Sequence, residues 1–270
     1  MADPDELPAE EAEFEPISRL QENPFPFEWY RLIDESHFWF QWRLSAAMLE
    51  VRELGLPLGR PLHGLEIGGG TGVLRAQFEA ATAWVVDMTD LQADALRLAR
   101  PSRGRTLYYD VTERHPDFVG RYDVVVLFDV LEHIPQPRPF LAATLEHLRP
   151  GGTLLINVPA MQSLFSGYDA VAGHVRRYDK PGLVAEFDGL PLEVTGARYW
   201  GASLVPLLAV RKALLALRPR SEDETIRLGF EPPNRLIHAL LRLVMRLESA
   251  VVASPVMGTS LVLSGRRLGG

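Results

Sequence analysis

Residues 65 to 72 read LEIGGGTG, and no other stretch limits the fold so sharply. Leu65, Glu66 and Ile67 end a short apolar run. Gly68, Gly69, Gly70 and Gly72 follow at once, and the helix-like stretch VLRAQFEAA comes next. The order is strand, glycine turn, helix. Glycines there let the chain turn sharply and let a ligand lie against bare backbone. In doubly wound α/β folds this first turn is where a nucleotide-like ligand sits. The spacing excludes the dinucleotide fingerprint G-x-G-x-x-G/A. Counted from Gly68, its third small residue falls on Val73; counted from Gly70, on Arg75.

Strand and helix signals then alternate. AWVVD, 83 to 87, is apolar, β-branched and closed by Asp87, 19 residues after Gly68. A carboxylate at the end of the second strand accepts hydrogen bonds from ribose hydroxyls in nucleotide folds at about this spacing. Thr89 with Gln92 reads as a capping box for DLQADALRLAR. TLYYD, 106 to 110, reads as a strand closed by Asp110. In YDVVVLFDVLEHIPQP, 122 to 137, the unbroken run VVVLF fits a buried parallel strand and ends near Asp129, Glu132 and His133. PFLAATLEHLRPGGTLLINVPA, 139 to 160, reads as helix, turn and strand, with Pro150 and Gly151 stopping the helix. Five such units predict a parallel sheet with right-handed crossovers.

Glu66, Gly68, Gly70 and Gly72 spell E-x-G-x-G-x-G, which resembles the first motif of class I S-adenosylmethionine-dependent methyltransferases. DVLEH, from Asp129 to His133, resembles the fourth motif of that family. HFWFQWR, 37 to 43, and H-x-R-R-Y, 174 to 178, resemble segments of a broad bacterial group within it, of the type 11 and type 23 kind. The resemblance covers residues 36 to 268. It implies an α/β, Rossmann-like, seven-stranded sheet with helices on both faces, an N-terminal helical lid and a C-terminal helical insertion. It also implies S-adenosylmethionine as cofactor and S-adenosylhomocysteine as product. Glu66, Gly68, Gly69, Gly70 and Gly72 then cradle the cofactor, with Asp87 and Met88 at its ribose. Asp110 and the Val111 N–H meet the adenine. Phe128 and Asp129 lie under the methionine part, and Trp39 and Arg43 close the pocket. His133 is a candidate general base, because His titrates near neutrality; it also reads as a residue that shapes the loop. His174 and Tyr178 are further catalytic candidates. Arg176 and Arg177 are candidates for holding an anionic group of the acceptor, or for bracing the sheet edge.

Composition narrows the classes. Net charge is −7, which argues against a nucleic-acid partner. There is no cysteine, so disulfides, thiolate metal sites and a Cys nucleophile are excluded. No metal-ligand cluster stands out, and none is expected. MADPDELPAEEAEFEP is acidic with no apolar core, unlike a secretory signal. No apolar run reaches the roughly 18 residues of a membrane span. A soluble cytoplasmic protein, monomer or homodimer, is expected. Residues 1–16 read as a disordered tail, 17–60 as a helical cap with Ser36 as an N-cap, and 61–200 as the cofactor-binding core. Residues 201–258 read as an apolar helical insertion and 259–270 as the last strand and C-terminus. The insertion suits a cover for the sheet, a dimer interface, a substrate tunnel or peripheral contact with a membrane. Trp39, Trp42, Ala46 and Leu49 share a helical face, either as core or as a lid. The expected activity is methyl transfer to a hydrophobic small molecule, with or without an anionic group, within a secondary-metabolite, lipid or glycan pathway. Two rivals stand beside it: other cofactor chemistry on the same fold, and a binding or assembly protein without turnover.

Overall fold

The computed structural model describes residues 12–20, 37–217, 221, 224, 234–251 and 254–269. Ser36, the aromatic stretch before it and most of the charged segment after Leu217 lie outside the described residues. Among the described residues eight strands form one sheet: β1 Glu15–Pro16, β2 His63–Ile67, β3 Val85–Asp90, β4 Thr106–Tyr108, β5 Tyr122–Phe128, β6 Leu148–Pro159, β7 Leu192–Trp200 and β8 Ser260–Arg267. Their spatial order is β1-β4-β3-β2-β5-β6-β8-β7. All neighbours run parallel except β8, which lies antiparallel between β6 and β7. The last strand of the chain thus lies inside the sheet rather than at its edge.

The central strands are legible because both faces are covered. Val125 and Leu127 join one apolar cluster, while Val124, Val126 and Phe128 join the other. That is the alternation of a strand buried on two sides. The tail expectation fails near its end. Glu15 and Pro16 pair with Leu107 and Tyr108, and the Glu15 carboxylate accepts from Arg105 Nε at 2.9 Å. Two residues carry no periodic signal, so the eighth strand is invisible to pattern reading.

The helices are α1 Phe38–Glu53, α2 Val73–Ala81, α3 Ala93–Arg97, α4 Pro137–His147, α5 Gly167–Val171, α6 Lys180–Ala185, α7 Val205–Leu217 and α8 Arg235–Val251. His37 caps α1, its Nδ1 accepting from the Trp39 N–H. Thr89 opens no helix; it ends inside β3 and donates to the Tyr109 carbonyl. Helix α4 stops at His147, and Leu148 is already strand, so Pro150 and Gly151 bulge within β6 rather than end the helix. Helices α7 and α8 lie within the insertion. Met245 of α8 is buried, and Glu248 accepts from the backbone N–H groups of Ala202 and Ser203. Leu236, Leu240, Leu243 and Leu247 stand exposed on its outer side. Among the described residues no helix is long and apolar enough to cross a membrane.

Candidate active site

Register decides which residues reach the carboxyl edge of the sheet. Ile67 closes β2 and pairs with Thr89 on β3 and Leu127 on β5. The residues just past that level are Gly68, Asp90 and Phe128. Gly68 has a φ of 70°, and a Cβ there would stand 2.3 Å from Val130 Cγ2. Only glycine fits both demands. The N–H groups of Gly68 and Gly69 bond the Thr89 carbonyl. The Gly70 N–H donates to Asp90 Oδ2 at 2.8 Å, and the Gln92 N–H to Oδ1 at 2.9 Å. Burial raises the Asp90 pKa against the pull of these N–H groups. Glu66 is buried and accepts from the Arg75 N–H at 2.9 Å. Its pKa is pushed up to about 7 by burial, despite the nearby charges of Arg43 and Arg75.

These residues border one cavity of about 1370 Å³. Glu66, Gly68, Gly69 and Gly70 line it, as do Asp110, Val111, Phe128, Asp129, Trp39 and Arg43. Asp129 holds a left-handed φ of 59°, rare for a residue with a side chain. Three contacts keep it there. Its N–H bonds the Asn157 carbonyl, Oδ1 accepts from Asn157 Nδ2 at 2.8 Å, and Oδ2 pairs with Arg43 at 2.7 Å. The Arg43 guanidinium lies 5.0 Å from the Trp39 ring centroid. Asp110 lines the cavity and also accepts from the Thr112 N–H, the turn chemistry its residue type favours.

Four expected cofactor or substrate residues are placed elsewhere. Asp87 is buried in mid-strand opposite Leu65, and its carboxylate accepts from the Arg105 N–H and the Tyr122 hydroxyl. Met88 is wholly buried and packs where a Gly69 Cβ would be. The strand-end positions belong instead to Asp90 and Leu91, which line the cavity. The apolar run does not end at Asp87, because a hydroxyl and a backbone N–H satisfy that buried carboxylate. Gly72 caps α2 at a φ of 73° without bordering the cavity. Arg176 turns away, donating to the Pro135 carbonyl at 2.8 Å. Tyr178, a catalytic candidate, is a core residue in the apolar cluster with Leu183, its pKa pushed up to about 12 by burial.

The other end of the cavity carries His133, His174, Arg177 and Glu132. The Asp169 carboxylate, wholly buried, organises it. Oδ1 accepts from Arg177 Nε at 2.7 Å and lies 3.1 Å from His174 Nδ1. Burial alone would raise the Asp169 pKa, but His174 and Arg177 hold it down at about 2. Sequence reading missed Asp169. Its one signal is Ser166, which forms a capping box with it at the start of α5. The His133 and His174 rings stand edge to face at 4.8 Å. His133 Nδ1 meets the Gly173 carbonyl, and burial and His174 lower its pKa to about 4. Burial and Asp129 raise that of Glu132 well above the carboxylate range. Glu132, His133 and His174 each bring one ligand atom within 4.8 Å of the others, a set able to hold a metal ion that the sequence did not suggest.

A family model described as a methyltransferase domain matches residues 39–195. Methyltransferase str2 of Strobilurus tenacellus is 29% identical over 170 residues, 62% of this chain and 58% of that one. A ubiquinone biosynthesis O-methyltransferase of Erwinia tasmaniensis is 33% identical over 99 residues, 34% of this chain and 40% of that one. The matches thus span little more than half, or less, of these relatives' lengths. The fold also superimposes on a 1,6-didemethyltoxoflavin-N1-methyltransferase of Burkholderia thailandensis, solved with bound 1,6-didemethyltoxoflavin and S-adenosylhomocysteine. There the TM-score is 0.51 at 18% identity, over 84% of this chain and 78% of the other. Since the family model matches more than half of the chain, over the strands and turn that build the cavity, the chain belongs to the methyltransferase-domain family of class I fold.

Proposed function

We propose that this protein moves a methyl group from S-adenosylmethionine to a small, largely apolar biosynthetic acceptor, leaving S-adenosylhomocysteine. The observation that carries the reading is the glycine turn: a Cβ-free cradle with Glu66, Asp90 and Asp110 at the ends of three neighbouring strands, all bordering one cavity. A ligand with an amine, a ribose and an adenine suits three acids placed this way. Asp90 takes the ribose, Asp110 and the Val111 N–H the adenine edge. Glu66, Gly68 and Asp129 lie toward the amino acid end, under Trp39 and Arg43.

The cofactor supplies an electrophilic methyl carbon. An acceptor O, N or C forms a bond to it as the carbon–sulfur bond breaks, and the sulfur keeps the electron pair. Such transfer needs positioning and exclusion of water above all. The proton lost by an O or N acceptor goes to His174, which Asp169 orients as a carboxylate orients a catalytic imidazole. The acceptor's body lies against α7, whose Leu207, Leu208 and Leu214 border the cavity. That favours a hydrophobic acceptor from a secondary-metabolite, lipid or glycan pathway. The relatives named for ubiquinone biosynthesis and for 1,6-didemethyltoxoflavin also act on small molecules, which supports this class.

Calorimetry with S-adenosylhomocysteine and with NAD tests the reading. Binding of the first alone is expected; binding of NAD without S-adenosylhomocysteine would overturn it. Transfer of labelled methyl groups to a panel of apolar phenols, amines and acids then identifies the acceptor.

A further inference from the structure

Arg211 stands in the apolar wall of the cavity, and the sequence of α7 gives no reason for a cation there. The helix reads VPLLAVRKALLAL, with only Arg211 and Lys212 polar. Lys212 is half-buried and donates to the Ser163 carbonyl at 2.6 Å. Arg211 borders the cavity beside Leu207, Leu208 and Leu214. Its guanidinium stacks over the Tyr168 ring, 4.4 Å from the centroid, and its buried Nε has no hydrogen-bond partner.

Among the described residues, the other two arginines of the cavity are each matched to an acid. Arg43 pairs with Asp129 and Arg177 with Asp169, each at 2.7 Å. His174 shares the same Asp169 oxygen. Among the described residues no carboxylate lies within ion-pair distance of Arg211. Tyr168 does not supply the missing charge, since burial pushes its hydroxyl up to about 12 and keeps it neutral. Burial opposes the charge of Arg211, and Asp169, the carboxylate whose charge reaches it, is already engaged by Arg177 and His174; a cation so placed is costly unless an anion meets it. If the side chain served packing alone, a leucine, as at its neighbours, would do so without that cost.

We propose that Arg211 receives an oxyanion, a carboxylate or a phosphate, carried by the apolar acceptor. The planar fork of a guanidinium matches both groups with two parallel hydrogen bonds, and its stacking on Tyr168 fixes the plane of that fork. Tyr168 and Asp169 are consecutive on α5, so one short helix sets both the anion subsite and the His174 end. The ionised group therefore sits on the same side of the cavity as the atom that loses its proton. This assignment rests on the methyltransferase reading and replaces Arg176 and Arg177 as the anion reader. The first faces away from the cavity, and the second is already neutralised by Asp169.

The test uses the full chain saturated with S-adenosylhomocysteine and three probes of equal length: decanoate, decyl phosphate and decan-1-ol. Titration calorimetry is expected to show one or both anions binding at least about tenfold tighter than the alcohol, about 1.4 kcal/mol. Which anion binds better tells carboxylate from phosphate. Arg211→Met removes the difference, and Arg211→Lys keeps part of it. Affinity for S-adenosylhomocysteine stays at the wild-type value in both variants, which also shows that they fold. The proposal is overturned if wild type binds neither anion better than decan-1-ol, or if the preference survives in Arg211→Met. It is also overturned if Arg211→Met loses S-adenosylhomocysteine, since Arg211 would then serve the cofactor. Failure of wild type to bind S-adenosylhomocysteine strikes the methyltransferase reading instead.

Discussion

Asp87 and Asp90 lie three positions apart on one strand, and their surroundings assign them opposite work. Asp87 holds the fold, through the Tyr122 hydroxyl and the Arg105 N–H. Asp90 holds the glycine turn and borders the cavity. Asp90→Asn should weaken S-adenosylhomocysteine binding about ten- to a hundredfold, the value of one charge-assisted hydrogen bond of roughly 1.5–3 kcal/mol. Asp87→Asn should leave that affinity nearly unchanged and lower stability by about 1–3 kcal/mol, as a buried donor loses its charged partner. Calorimetry and denaturant titration of both variants settle the matter, and the reverse pattern would return the ribose to Asp87. The two histidines divide in the same way. His174 has a buried carboxylate to orient it, whereas His133 is engaged by a carbonyl and held at a pKa of about 4, a weak base at neutral pH. His174→Gln should lower turnover about a hundred- to ten-thousandfold with cofactor affinity intact. An equal loss in His133→Ala would move the base there. The glycine turn, Asp129 and Val111 were legible because motif and strand end coincide. Asp90 was not, because an acid satisfied inside a strand looks, in sequence, like the end of that strand.

At the scale of elements, α1 shows why core and lid are not exclusive. Its C-terminal half is anchored: Glu50 accepts from Arg198 Nε at 2.9 Å and from the Ser264 hydroxyl at 3.0 Å. Trp42, 2% exposed, packs among Phe78, Trp84 and Val126. The N-terminal half delivers Trp39 and Arg43 to the cavity. A change in tryptophan fluorescence on S-adenosylhomocysteine binding should therefore come from Trp39. It should vanish in Trp39→Phe and persist in Trp42→Phe. A signal that survives Trp39→Phe would mean that α1 covers no ligand and is core alone. Helical spacing placed this helix but not its two halves, since the spacing is the same whichever element a face meets. Helix α7 was legible as apolar for the same reason, while its role as a cavity wall depends on α5, a five-residue helix too short to carry a periodic signal.

For the whole molecule, the cradle sets a conflict between binding and stability that pH exposes. Glu66 is buried beside Arg43, Arg75 and Asp90, and burial outweighs the two arginines, so its carboxyl titrates near pH 7 rather than 4.5. Below pH 4.5 it is protonated in both the folded and the unfolded chain. As pH rises from 4.5 toward 7, the unfolded chain releases the proton while the folded one keeps it, so stability falls with rising pH across that window. The loss amounts to about 3 kcal/mol, a large share of the margin on which a domain folds. Other groups titrate in the same range, and His133, with its lowered pKa, contributes a slope of the opposite sign. The Glu66 share is isolated by comparison with Glu66→Gln, which mimics the protonated form and still accepts from the Arg75 N–H. The variant's stability relative to wild type should rise by about 3 kcal/mol between pH 4.5 and 7 and change little below pH 4.5. Denaturant titrations of both proteins at half-unit steps measure this directly. A difference that stays constant with pH would mean that Glu66 is ionised in the folded protein throughout the range. In that case the arginines around the glycine turn, rather than burial, govern the charge of the cradle.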